Sequence, residues 1–121
     1  MNLNNFLDHL NRGETVIGGS DIHEYMCKVS QEALKITSEL NGAYHTPEKI
    51  IEVFSKLIGK SVDTSFRLFP PFYTDFGKNI TVGKNVFINS GCRFQDQGGI
   101  SIGDDALIGH NVVLATLNHD F

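Results

Sequence analysis

The chain has 121 residues, room for one or two small domains, and a formal net charge of -4. No Lys/Arg cluster appears, and the pI is near 5.6, which excludes electrostatic attraction to nucleic acid or anionic lipid as the basis of its function. The first residues lack a signal peptide's charged and apolar regions, and no apolar run approaches a membrane span; Cys27 and Cys92 have no metal-like spacing. Together these predict a cytoplasmic chain with both thiols reduced and buried.

Residues 1–60 read as a helical cap. Asn2 to Asn11 carries Leu3, Phe6, Leu7 and Leu10 on one face and is closed by Gly13. Asp21 is suited to cap a second helix, with Glu24 three residues on as its capping-box partner. That helix buries Ile22, Tyr25, Met26, Val29, Ala33, Ile36 and Leu40 and ends at Gly42. A third opens with Thr46 as N-cap and Pro47 at the first helical position, buries Ile50, Ile51, Phe54, Leu57 and Ile58, and stops at Gly59. Residues 61–79 follow as an extended connector, broken by Pro70-Pro71 and rich in aromatics: Phe66, Phe69, Phe72, Tyr73 and Phe76.

From residue 80 the pattern changes. Val82, Ile88 and Phe94, then Ile102, Ile108 and Leu114, recur every sixth position. A second set, Ile80, Val86 and Cys92, then Ile100, Ala106 and Val112, runs two places ahead. Neither a helix nor a plain alternating strand repeats every sixth residue, whereas three short strand-and-turn steps make one coil of a triangular β-solenoid. Gly98-Gly99 interrupts the count between two coils at 80–97 and 100–117. Val82 should therefore stack on Ile102, Ile88 on Ile108 and Phe94 on Leu114, about 4.8 Å apart. Gly83, Asn89, Gln95, Gly103, Gly109 and Ala115 follow the apolar positions and are expected at the corners, where Gly and Asn tolerate positive φ. The helices and the aromatic connector would cover the solenoid's first edge. After Leu117 no further coil or cap follows, so the solenoid in 80–121 reads as truncated.

His119 comes just after the second coil, with Asn118 and Asp120 at positions that should be apolar. The chain there should leave the wall as a loop above Asp96 and Gln97. An imidazole beside a carboxylate has the pKa and the fixed tautomer of a general base, although a His in a polar loop is also an ordinary surface residue. His110, on the coil wall, reads as an outward surface residue.

The stretch Pro70 to Gly83 (PPFYTDFGKNITVG), then Asn85 to Asn89 (NVFIN), Ile102-Gly103-Asp104 and Thr116-Leu117-Asn118-His119, closely resembles the maltose and galactoside O-acetyltransferases. The resemblance covers about residues 57–121, with Gly13-Glu14 and Leu57 to Lys60 similar in plan. It implies a left-handed parallel β-helix of hexapeptide repeats behind an N-terminal helical segment. It also implies acetyl-CoA as acyl donor, a sugar or related hydroxyl acceptor, and a homotrimer with active sites between subunits. By position, His119 matches the catalytic base. Asn89 matches an acceptor-binding amide and equally suits a corner that satisfies its own turn. Asp96 resembles the acceptor-binding carboxylate, a place the register around Gly98-Gly99 could instead give to Gln97. Phe87 stands where the galactoside enzymes have Tyr, which leaves sugar stacking without a hydroxyl contact. Asp21 is matched to an acceptor-binding Asp, though its spacing from Gly13 differs and a helix cap explains it more simply.

The family's acetyl-CoA groove and oxyanion donor lie in later coils, so the 121 residues alone are expected to be a poor catalyst. The competing reading is a non-catalytic, trimer-forming remnant or fragment. A zinc carbonic anhydrase on the same fold would need three gathered histidines, whereas His110 and His119 fall on different faces and no third candidate sits on the prism; no metal is expected.

Overall fold

The computed structural model describes residues 1–117. Three helices lead in. The first, α1, spans Leu3–Asn11, with the Asn2 side chain accepting from Asn5 N at 2.9 Å. The second, α2, spans Asp21–Asn41. Its N-cap is Ser20, whose hydroxyl accepts from His23 N at 3.2 Å, so Asp21 is the first helical residue rather than the cap. Either residue type can cap; Ser20 holds the extended backbone the cap requires, and Asp21 and Glu24 add favourable charge to the first turn. The third, α3, spans Pro47–Ile58 behind the Thr46 cap and ends at Gly59 in the left-handed region, φ 71°.

Eight short strands follow: β1 (Arg67–Leu68), β2 (Phe72–Thr74), β3 (Ile80–Val82), β4 (Phe87–Ile88), β5 (Cys92–Gln95), β6 (Ile100–Ile102), β7 (Leu107–Ile108) and β8 (Val113–Ala115). They form three parallel sheets, β1-β4-β7, β2-β5-β8 and β3-β6, the walls of a triangular solenoid. Every pairing joins residues 20 apart, among them Val82 with Ile102, Ile88 with Ile108 and Phe94 with Leu114. The stacks predicted from the repeat are those observed.

The coiling starts earlier than the repeat announced. The connector 61–79 supplies β1 and β2, with Leu68 paired to Ile88 and Phe72 to Cys92. Phe66 and Phe72, six apart, fill the first layer with Val62 and Leu68, so the step of six runs on there with aromatics in place of part of the aliphatic set. Phe54 of α3 packs on Phe66 (4.6 Å) and Phe72 (5.4 Å), and Phe72 packs on Phe94 (5.0 Å), so one core runs from the helices into the prism. Offset and edge-on ring pairs of this kind add to the burial they accompany. A second, smaller core holds α1 through Phe6, Leu10, Val29 and Phe76.

The corners also differ from expectation. Gly83 N and Asn89 N still donate to the next coil, to Ile102 O at 2.8 Å and Ile108 O at 2.9 Å. The ladder thus extends through the residue after each apolar position, and the chain turns later. Within the solenoid positive φ falls at Gly77 (85°), Asn85 (56°), Gly91 (86°), Gly99 (96°), Asp105 (63°) and Asn111 (58°). Asn and Asp tolerate that region through local hydrogen bonding. Gly83 is required by proximity instead, because a Cβ there would overlap the Asp104 carboxylate. Cys92 is buried as expected, whereas Cys27 lies on the exposed face of α2.

Candidate functional site

Where the second full coil ends, the structure forms a cleft of about 610 Å³. One side is the end of α1 and the link to α2: Leu10, Gly13, Glu14, Thr15, Val16 and Gly18, with His23 and Met26 of α2. The other is the Gly98 corner with Thr116 and Leu117. The first side is attached to the solenoid by Asn79, whose amide donates to Asn11 Oδ1 (3.0 Å) and Gln97 O (3.1 Å).

The corner has its own clasp. Thr116 Oγ1 donates to Gln95 O at 2.6 Å and accepts from Gly98 N at 2.8 Å, and Leu117 N donates to Gln95 Oε1 at 3.0 Å. A glycine is needed at 98, because a Cβ there would stand 2.7 Å from Thr116 O. His119, with Asn118, Asp120 and Phe121, lies outside the described residues.

Across the cleft, the Glu14 carboxylate is held by Arg12 Nε (2.8 Å) and His9 Nδ1 (2.8 Å), while His9 Nε2 stands 3.0 Å from Thr15 O. The hydrogen bond from Arg12 holds the Glu14 carboxyl below the usual carboxylate range. His23 Nδ1 accepts from Gly19 N at 3.2 Å, which leaves the proton of the neutral ring on Nε2, 3.7 Å from Cys27 Sγ.

The residues expected at the site are distributed differently. Asp96 is fully buried, its Oδ1 accepting from Thr74 Oγ1 (2.8 Å), Phe76 N (3.1 Å) and Gly77 N (2.8 Å) and its Oδ2 from Asn79 N (3.0 Å). In this chain that carboxylate ties down the loop from β2 to β3. Burial, with the nearby charge of Asp96, raises the Asp75 carboxyl, against a smaller opposing pull from Arg93. Gln97, the alternative to Asp96, is nine-tenths buried, and its Oε1 has no hydrogen-bond partner among the described residues.

Asn89 is half-buried, its Oδ1 accepting from Ser90 N at 2.8 Å, the self-satisfied corner its position allowed. Phe87 lies on the outer face of β4 against Phe69, rings edge-on at 5.1 Å. Asp21 is exposed at the start of α2. None of Asp21, Phe87, Asn89 and Asp96 lines the cleft. Glu14, His23 and Thr116 do; Gly13-Glu14 and Thr116-Leu117 belong to the stretches that carry the resemblance, whereas nothing in the sequence pointed to His23. A second cavity of about 360 Å³, between the α2–α3 loop and β1, is walled by Tyr44, Pro47, Ile50, Leu68, Phe69 and Pro70 among others. Among the described residues no three His, Cys, Asp or Glu side chains gather to hold a metal ion, and no helix is long and apolar enough to cross a membrane.

No family model matches the chain. Over 83 residues it is 34% identical to the sophorolipid acetyltransferase of Starmerella bombicola, a match covering 69% of this chain and 31% of that protein. In fold it is similar to a maltose O-acetyltransferase from Clostridium difficile, with TM-score 0.82 and 27% identity over 94% of this chain and 59% of the other. A hexapeptide-repeat acetyltransferase of Vibrio cholerae, solved with acetyl-coenzyme A, gives TM-score 0.66 and 26% identity over 89% of this chain and 56% of that one. The chain spans about half the length, or less, of the curated relatives it matches. With these likenesses the solenoid is a left-handed parallel β-helix of the hexapeptide-repeat acetyltransferase type.

Proposed function

We propose that this chain, similar in sequence and fold to the maltose O-acetyltransferase-like proteins, serves an acetyl-CoA-dependent O-acetyltransferase acting on a sugar or related hydroxyl, in the cytoplasm. The observation that carries the reading is the match of 94% of the chain to a maltose O-acetyltransferase. The cleft that ends at Thr116 and Leu117, two residues before His119 in sequence, supports it.

In this reading His119 removes the proton from the acceptor hydroxyl as that oxygen attacks the thioester carbonyl. A tetrahedral oxyanion forms and collapses with loss of the coenzyme A thiolate, and the imidazolium returns its proton to the sulfur. General base catalysis of this kind contributes roughly 10²–10⁴ in rate. Acetyl-CoA is a substrate here, not a resident cofactor.

The active unit is a homotrimer. Leu107 and Val113 point outward from two walls, 79% and 65% exposed, apolar surface that self-association would cover. In such an assembly Asn89 and Phe87, which do not line the cleft of their own chain, would serve a site shared with a neighbour, Asn89 through its amide and Phe87 by stacking on a sugar ring. Asp21 is the weakest of the acceptor-binding assignments, since it is exposed and no contact ties it to the cleft.

The test is a panel of sugars and other hydroxyl compounds with acetyl-CoA, following free thiol release, beside sedimentation at micromolar protein. Thiol release that requires both an acceptor and His119 supports the reading. A trimer that releases no thiol with any acceptor even in a form extended by the later coils supports the non-catalytic alternative, and a monomer refutes the shared site.

A further inference from the structure

Each wall of the solenoid begins with a strand paired on one side only. β1, β2 and β3 pair with β4, β5 and β6, and among the described residues no strand lies on their other side. In a parallel ladder successive residues turn their N–H and C=O to opposite sides. Arg67 N and Phe69 N donate to Val86 O and Ile88 O, Asp75 N to Phe94 O, and Asn79 O accepts from Ile100 N, so these residues face the following coil. By that alternation Phe66, Phe72 and Ile80 turn peptide groups to the unpaired side, an edge that is both costly to bury unsatisfied and a template for another chain.

One side chain meets each wall there. At β1, Arg67 Nη1 donates to Phe66 O at 2.7 Å and to Thr64 O at 2.9 Å. At β2, the Asn41 carboxamide takes both groups of Phe72, donating to its carbonyl and accepting from its N–H, each at 2.9 Å, as a neighbouring strand residue would. At β3, Lys60 Nζ donates to Ile80 O at 2.7 Å and to Lys78 O at 3.1 Å. Asn41 ends α2 and Lys60 follows the Gly59 cap of α3, so two of the three come from the helical layer. Phe54 of that layer covers the interior of the prism through Phe66 and Phe72, while the strand edges at the perimeter are left to the polar side chains.

We propose that Arg67, Asn41 and Lys60 stand in for a preceding coil, and that by closing all three strand ends they keep the first edge of one chain from pairing with β6, β7 and β8 of a second copy. Those are the last strands of the same three sheets, and they run parallel to β1, β2 and β3. The second copy thus offers strands of matching direction on a matching triangle. Losing a tie from α2 or α3 both unpairs an edge and loosens the layer that shields it.

The test compares the parent chain with Asn41→Ala, Lys60→Met and the double variant, by sedimentation velocity and small-angle scattering from low to high micromolar protein. All are measured well below their own melting midpoints. Phe6→Leu, in the small core under α1, serves as a control destabilised away from the edge. The double variant should grow severalfold in mass with concentration, into rods whose cross-section stays that of the parent's own assembly. Asn41→Ala, which opens one wall, should do so only at the highest concentrations, and it decides the matter if the double variant does not fold. Phe6→Leu should keep the parent's size. Folded edge variants that stay at the parent's size, growth that widens the cross-section, or equal growth in Phe6→Leu would each overturn the proposal. Because size is read against the parent's own assembly, the outcome is independent of the acetyltransferase and trimer readings.

Discussion

Replacing Asp96 by Asn tests whether that carboxylate holds the fold rather than a substrate. Four donors converge on it: Thr74 Oγ1, Phe76 N and Gly77 N on Oδ1, and Asn79 N on Oδ2. An Asn side chain placed to keep the three bonds on its oxygen turns an NH₂ toward Asn79 N–H, so one acceptor becomes a donor facing a donor. Hydrogen bonds to a charged group are worth about 1.5–3 kcal/mol each, and an unsatisfied buried donor costs about 1–3 kcal/mol. With one bond lost and three weakened, Asp96→Asn should destabilise by about 3 kcal/mol. For a chain of this size that corresponds to a fall in melting temperature on the order of 10 °C. Thermal denaturation followed by circular dichroism reads this directly, and the double variant with Thr74→Val should be less than additive because the two side chains share a bond. If Asp96→Asn melts within a degree or two of the parent while weakening acceptor use, the carboxylate serves the substrate and the structural account fails.

Gly77 has φ 85°, and a Cβ there would stand 2.8 Å from Leu57 O; Gly77→Ala should therefore cost about 2 kcal/mol in urea unfolding, and a loss below 0.5 kcal/mol would contradict the close packing of α3 on this loop. Asp75 has a carboxyl raised mainly by burial, so the folded state takes up its proton more readily than the unfolded chain and the ionised form is a liability. That liability is fully present above the raised folded value and disappears as pH falls below the unfolded value. Asp75→Asn should accordingly raise the melting temperature slightly at pH 7 and not at pH 3, and a gain that grows on acidification would reverse the sign. In a catalytically active form, His119→Ala should lower kcat by about 10²–10⁴ with acetyl-CoA affinity nearly unchanged, whereas Asn89→Ala should act mainly on the acceptor KM. A tenfold loss of acetyl-CoA affinity in His119→Ala would place that residue in donor binding.

The solenoid was legible in the sequence because its period is local: each step of six repeats the same strand and turn, and a shift of 20 brings like on like, as in the pairing of Val82 with Ile102. Helix ends at Thr46-Pro47 and Gly59 were legible for the same reason, since capping is settled within one turn. The first coil was not, although Phe66 and Phe72 keep the step of six and stand 20 residues before Val86 and Cys92, because aromatics, Thr74 and the Pro70-Pro71 break replace the aliphatic pattern there. Asp96 carries the same carboxylate whether it meets a substrate or a backbone, and its four donors become its partners only when the loop after β2 folds over it. The cleft depends on still longer contacts, with Asn11 reaching Asn79 across 68 residues and Phe6 packing on Phe76, to bring Glu14 and His23 opposite Gly98 and Thr116. Periodicity and capping are set by neighbours along the chain, whereas which polar group is buried and which faces a cavity is set by distant segments that sequence spacing does not relate.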